Sequence, residues 1–204
     1  MNANFVITIS RSSGSGGNMV AKRVAELFGI SFYDKEILSA AAEHSGMNRE
    51  LFEVNDEKPS SSLLYSVVVG KQVDHMPINQ KLFMAQFETI QKLAEKGSCV
   101  ILGRCADYAL RDHPNLISVF VHAPLEHRIA RTMELNGVDE KKARAMVSKT
   151  DKNRSNYYSF YSGRRWGDLN NYHLAIDSSA VGIEGCAETI KAFAETKLRF
   201  SGVL

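Results

Sequence analysis

The chain has 204 residues, of which 44% are hydrophobic and 24% charged, with a formal net charge of +2 at pH 7. That length suits one α/β domain with a sizeable core, and so small a charge gives no reason to expect bulk nucleic-acid binding. No apolar run approaches the roughly 18 residues of a membrane span, and no basic stretch precedes a long apolar one as in a secretory leader. Three cysteines without C-x-x-C spacing read as reduced thiols of a cytoplasmic protein.

Residues 5–9, β-branched and aromatic, predict a buried strand. Ser10-Arg11-Ser12-Ser13-Gly14-Ser15-Gly16-Gly17-Asn18 follows, with three glycines in four positions. A turn of this kind between strand and helix aims backbone N–H groups at an anion, and the helix adds the positive end of its dipole. The nucleotide-binding pattern G-x-x-x-x-G-K-[ST] would need Lys at 17 and Ser or Thr at 18 or 19. Those positions hold Gly17, Asn18 and Met19.

The apolar spacing predicts a helix over 18–28, stopped by Gly29, and a strand over 30–33. Asp34 is placed to cap a helix over 35–44. Residues 48–78 lack a period and carry a serine run; they read either as an acceptor-side flap or as a surface excursion. A helix over 79–96 puts Leu82, Phe83, Phe87, Ile90 and Leu93 on one side, a face for the core or for a homodimer. Strands over 98–102, 116–122 and 173–177 follow. Between and after them come helices opening at Pro124, capped by Asp139 and running to about 161, and spanning 183–200. Five strands separated by helices predict a parallel sheet covered on both faces, a three-layer α/β/α fold. Ligands in such folds gather at the C-terminal strand edge, where the glycine turn, Asp34, Arg104 and the residues after His122 and Asp177 meet.

Over nearly its whole length the chain resembles the cytidylate kinase-like group of the P-loop nucleoside monophosphate kinases. The resemblance rests on the glycine turn and on Phe32-Tyr33-Asp34-Lys35-Glu36. It also rests on Leu102-Gly103-Arg104-Cys105-Ala106-Asp107-Tyr108, Val121-His122-Ala123-Pro124, Thr150-Asp151-Lys152-Asn153-Arg154 and Asp177-Ser178-Ser179. It implies a single P-loop kinase-like domain over 1–204, with a helical lid over 139–168. The activity implied is transfer of the γ-phosphoryl group of ATP, with Mg²⁺, to CMP, dCMP or a related phosphorylated acceptor. Small nucleotides would then be the partners, rather than nucleic acid or membrane.

Residue by residue, the resemblance implies that Ser13, Gly14, Ser15, Gly16, Gly17 and Asn18 hold the donor phosphates, with Arg128 and Arg131 approaching from a neighbouring helix. Asp34 and Arg104 would hold the acceptor. Cytidylate kinases carry Asp-Gly-Arg-Asp where this chain has Leu102-Gly103-Arg104-Cys105. The arginine stays, both aspartates are gone, and Asp107 is a substitute or a partner for Arg104. From the lid, Asp151 and Arg154 fall on the catalytic motif, and Arg154 would stabilise the charge spreading over the transferred group. Arg144, Lys149, Lys152, Arg164 and Arg165 stand in the same basic stretch, which also reads as a solvated helix face. The missing lysine leaves Arg11 as the better replacement cation and Lys22 as the weaker one. The sequence leaves two rivals open: a catalytically silent nucleotide sensor, and a kinase for a non-nucleotide acceptor.

Overall fold

The computed structural model describes residues 4–57 and 77–202. The serine run and the rest of the expected flap over 58–76 lie outside the described residues. Five strands form one parallel sheet in the order β2-β3-β1-β4-β5: β1 Val6–Arg11, β2 Ser31–Tyr33, β3 Cys99–Leu102, β4 Leu116–His122 and β5 Leu174–Asp177. The helices are α1 Gly17–Phe28, α2 Glu36–Ser45, α3 Arg49–Asn55, α4 Ile78–Lys96, α5 Ala106–Ala109, α6 Leu125–Asn136, α7 Glu140–Ser162 and α8 Ser178–Phe200. Among the described residues, no helix is long and apolar enough to cross a membrane.

Alternation along the strands builds the two outer layers. Ile7, Ile9, Val100, Leu102, Ile117, Val119 and Val121 face α1 and α8, packing on Val20, Val24, Ala187 and Ile190. Val6, Cys99, Ile101 and Leu116 face the other way, onto Ile37, Ile90, Leu93 and Ala109 of α2, α4 and α5. Strand β1 is central, pairing with β3 through Ile9↔Leu102 and with β4 through Arg11↔Val121. Its C-terminal end therefore opens between two neighbours, which fixes where the glycine turn emerges.

The expected elements are present, with some differences. Gly29 and Gly46 end α1 and α2 in the left-handed conformation, and Asp139 caps α7 by accepting from Lys142 N at 2.8 Å. Asp34 does not cap α2: its carboxylate is taken by Arg104 and Asn18, and Glu36 instead accepts from the Asp34 amide at 3.0 Å. Helices α3 and α5 were not expected. The last helix begins at Ser178 rather than 183, kinked at Gly182 (φ 69°), with Asp177 capping it through Ser179 N at 2.8 Å. Phe83 and Phe87, on the face read as core or dimer surface, make contacts within the chain. Phe83 stacks on Tyr161 with ring centroids 3.9 Å apart, and Phe87 meets Tyr108 edge-on.

Candidate active site

At the C-terminal edge of the sheet a cleft of about 500 Å³ lies between the glycine turn, the end of β2, the turn after β3 and helix α7. Gly14 and Gly16 sit at φ 77° and 81°, where a side chain is strained. A Cβ at Gly14 would run into the Arg128 carbonyl, and one at Gly16 would lie 2.8 Å from Arg131 Nη1. The turn is thus a backbone cradle pressed against α6. Arg128 anchors it by donating to Ser13 O at 3.1 Å, and Arg131 by donating to Gly14 O at 3.3 Å. Asp151 of α7 accepts from the Ser13 amide at 2.7 Å and pairs with Arg128 at 2.6 Å. Ser178 closes the back of the turn, donating to Ser15 O at 2.6 Å.

The turn after β3 is built from three successive left-handed residues, Gly103, Arg104 and Cys105, at φ 70°, 54° and 54°. The last two lack glycine's freedom, and such strain persists only where surrounding contacts hold it. Here they do. The Arg104 guanidinium is buried and donates to Asp34 Oδ1 at 2.9 Å, to both Asp56 oxygens at 3.1 and 2.9 Å, and to Leu102 O at 3.2 Å. Burial opposes its charge, but Asp56, Glu57 and Asp34 more than offset this and hold its pKa above the ordinary value. Burial also raises the Asp56 pKa, against the pull of Arg104.

Glu57 is the hub. Its carboxylate pairs with Arg11 at 2.6 Å and with Arg154 at 2.9 Å, and accepts from the Arg104 amide at 3.4 Å. Burial would raise its pKa, but the charges of Arg11, Arg154 and Arg104 prevail and hold it well below the usual carboxylate range. Two guanidiniums, from β1 and α7, and the backbone amide of Arg104 thus converge on one anion.

The sign of the pH dependence follows. A carboxylate with a depressed folded pKa contributes stability that is whole above its unfolded value, near 4.3, and is lost as pH falls toward the folded value. Glu57→Gln should therefore be less stable than the native chain at pH 7 and show a shallower loss between pH 5 and 3. Urea midpoints at the two pH values measure it, and an unchanged acid slope would refute the assignment.

Of the residues expected in the site, Arg11, Asp34, Arg104, Arg154 and the glycine turn come together around the cleft. Asp107 does not: it is buried and accepts from Tyr158 OH at 2.6 Å, pairing with neither Arg104 nor the cleft. Among the basic residues of α7 and its sequel, Arg144 pairs with Glu126 and Glu140, Lys149 and Lys152 are exposed, and Arg164 lies over the Tyr108 ring. Lys22 is exposed on α1. Tyr157, Tyr161 and Trp166 pack among aromatic neighbours. Asp56 and Glu57 were missed. Their one sequence signal, adjacent acids after a short amphipathic segment, does not point to arginines 46 to 97 positions away.

The family model described as the cytidylate kinase-like family matches residues 6–180. The chain belongs to the cytidylate kinase-like family. Its curated relatives include a cytidylate kinase of Methanopyrus kandleri, 29% identical over 186 residues and covering 86% of both chains. A cytidylate kinase of Pyrococcus horikoshii is 27% identical over 190 residues, covering 92% of this chain and 87% of the relative. Among solved structures, an uncharacterized protein from Eubacterium ventriosum superposes with a TM-score of 0.71 at 34% identity, covering 94% of this chain and 98% of the other. Shikimate kinase from Acinetobacter baumannii, at 14% identity and a TM-score of 0.55 over 96% of each chain, shares the fold.

A resident magnesium ion does not fit the donor set of this family member as described. Among the described residues no cluster of three or more Asp, Glu, His or Cys could hold a metal, and Asp34, Asp56 and Glu57 are all engaged by arginines. Met19, half exposed beside the turn, is no ligand for a hard cation. The buried Ser15 Oγ has no hydrogen-bond partner and is the one orphan polar group of the turn among the described residues.

Proposed function

We propose that the chain is a nucleoside monophosphate kinase-like phosphotransferase that moves the γ-phosphoryl group of ATP to CMP, dCMP or a related phosphorylated acceptor. The observation that carries this reading is the convergence of the Arg11 and Arg154 guanidiniums on the Glu57 carboxylate, with the Arg104 guanidinium held close by on Asp34 and Asp56, beside a left-handed glycine cradle. Transfer between phosphates is a problem of positioning and charge stabilisation, and it requires converging cations more than a proton-transfer group.

In this reading the turn from Ser13 to Asn18 binds the donor phosphates through backbone amides, with Arg128 and Arg131 fixing its shape from behind. Arg104, oriented by Asp34 and Asp56, takes the acceptor phosphate, for which a guanidinium fork is well matched. Arg154, on the lid helix α7, stabilises the transferring group, and Asp151 latches that helix to the turn. An ionised acceptor phosphate attacks without a side-chain base. Glu57 yields its place among the arginines to the incoming anion. Magnesium enters with the triphosphate as part of the substrate, in a cytoplasmic setting.

³¹P NMR with ATP, Mg²⁺ and a panel of ribo- and deoxyribonucleoside monophosphates tests the reading. A new diphosphate signal with one acceptor is the expected result. No new signal with any acceptor would overturn the assignment.

A further inference from the structure

In the pattern G-x-x-x-x-G-K-[ST], set in register by Gly16, position 11 is a glycine and position 17 the lysine. In this chain the two residue types have changed places: Arg11 stands at the first position and Gly17 at the lysine's. The structure gives the exchange a physical basis. A Cβ built on Gly17 would overlap Arg11 Cβ and lie 2.9 Å from its Cγ, so the arginine stem occupies the space above the Gly17 backbone. Further out, a Cβ on Gly103 would overlap Arg11 Nη1. The side chain thus runs through a passage whose two walls are both glycine. It ends with Nη1 2.6 Å and Nη2 3.4 Å from the Glu57 carboxylate, while Arg154 donates to the Arg11 carbonyl at 3.3 Å.

Gly17 has an interest in this passage that its backbone does not explain. It opens helix α1 and is not among the glycines at positive φ, so a side chain at 17 is excluded by the arginine rather than by torsion. A lysine at 17 and an arginine at 11 are therefore mutually exclusive, because their stems claim the same volume.

We propose that the cation of the loop has been moved rather than lost. Arg11 supplies the charge that meets the terminal phosphate of the donor, and Gly17 and Gly103 are positioning residues that keep its path clear. The inference deepens the kinase reading and rests on it for the identity of the phosphate. It places the cation on the acceptor-facing side of the loop, next to Arg154, where it is shared between the donor's last phosphate and the incoming anion. Arg104 then has no need to serve the donor.

The test compares the native chain with Arg11→Met, Arg11→Gly, Gly17→Ala, Gly17→Lys and the double variant Arg11→Gly/Gly17→Lys. Two quantities are read: the thermal midpoint, and the ratio of ATP to ADP affinity by calorimetry, which isolates the last phosphate. Arg11→Met keeps the stem and removes the charge. It should lower the midpoint, because Glu57 loses its nearest partner, yet still fold through Arg154 and the Arg104 amide, and it should reduce the ATP preference about tenfold or more, the scale of a charge-assisted contact. Gly17→Ala and Gly17→Lys should each lower the midpoint. The double variant should regain both midpoint and ATP preference relative to its parent single variants, a recovery that a purely structural arginine would not give. An unchanged ratio in Arg11→Met, a native midpoint in Gly17→Ala, or no recovery in the double variant overturns the proposal.

The two readings separate cleanly. Undiminished phosphoryl transfer by Arg11→Met would sink the relocated cation and keep the kinase. The expected nucleotide ratios with no transfer by the native chain would do the reverse. Failure of the native chain to bind either nucleotide would remove both.

Discussion

Arg154→Ala should lower turnover about a thousandfold while leaving ATP affinity within about threefold, the signature of a cation used chiefly in the transition state. The side chain is half-buried on α7, donating to Glu57 at 2.9 Å and to the Arg11 carbonyl at 3.3 Å. Neither contact is indispensable to the fold, because Glu57 keeps Arg11 and the Arg104 amide when Arg154 is removed. The loss should therefore appear in kcat and in kcat/KM alike, with a modest change in thermal midpoint. Arg154→Lys should recover only part of the activity, since a point charge cannot span two acceptors as a planar fork does. Steady-state kinetics beside a melting curve decide it. A variant that melts early yet turns over normally when cold would reduce Arg154 to a structural tie.

Arg104→Ala should do damage of another kind. The guanidinium is 2% exposed, and it compensates Asp34 and Asp56 together. Removing one member of a buried ion cluster leaves the others charged and unpaired, at a cost of about 3–5 kcal/mol. Urea unfolding should show a loss on that scale. Acceptor KM should rise steeply in whatever fraction stays folded, while ATP affinity changes little. Arg104→Lys should rescue poorly, because the Asp56 pair uses Nε and Nη2 together while Nη1 serves Asp34. Near-native stability in Arg104→Ala would show that the two aspartates find other partners and that the strained turn is not held by this cluster.

The contrast between these two arginines marks how far the sequence could be read. Strands, most helices and the glycine turn are legible because their signals are local: alternation, helical spacing, Gly29 as a stop, Asp139 as a cap. Helix α3 escapes because seven residues bury little besides Phe52, and α5 because four residues carry no period. The site is only half legible. Asp34 has the position of a cap and the environment of an ion-pair partner, and no local rule distinguishes the two. Asp107 follows Arg104 by three residues, but the left-handed residues at 104 and 105 turn the chain so that it meets Tyr158 instead. In α7, Val147, Asp151, Arg154 and Tyr158 recur at spacings of four, three and four, the inward-facing stripe of a helix, whereas Lys149 and Lys152 fall on its exposed side. Glu57 had no such signal, because its partners come from β1, the turn after β3 and α7.

The placement of β1 at the centre of the sheet has a consequence for how the protein comes into being. Val6 to Arg11 must find β3 and β4, which emerge from the ribosome roughly ninety and more than a hundred residues later. At about 5–20 residues per second of synthesis, a strand destined for burial waits with both edges unpaired on the order of ten seconds. Parallel pairing over such distances is also slow to nucleate. Until β4 arrives, the Ser12 amide lacks the Val121 carbonyl that seats it at 3.0 Å, and the turn has no wall to press against. The phosphate cradle, encoded ahead of the strand that walls it, is thus completed only after β4 has been made.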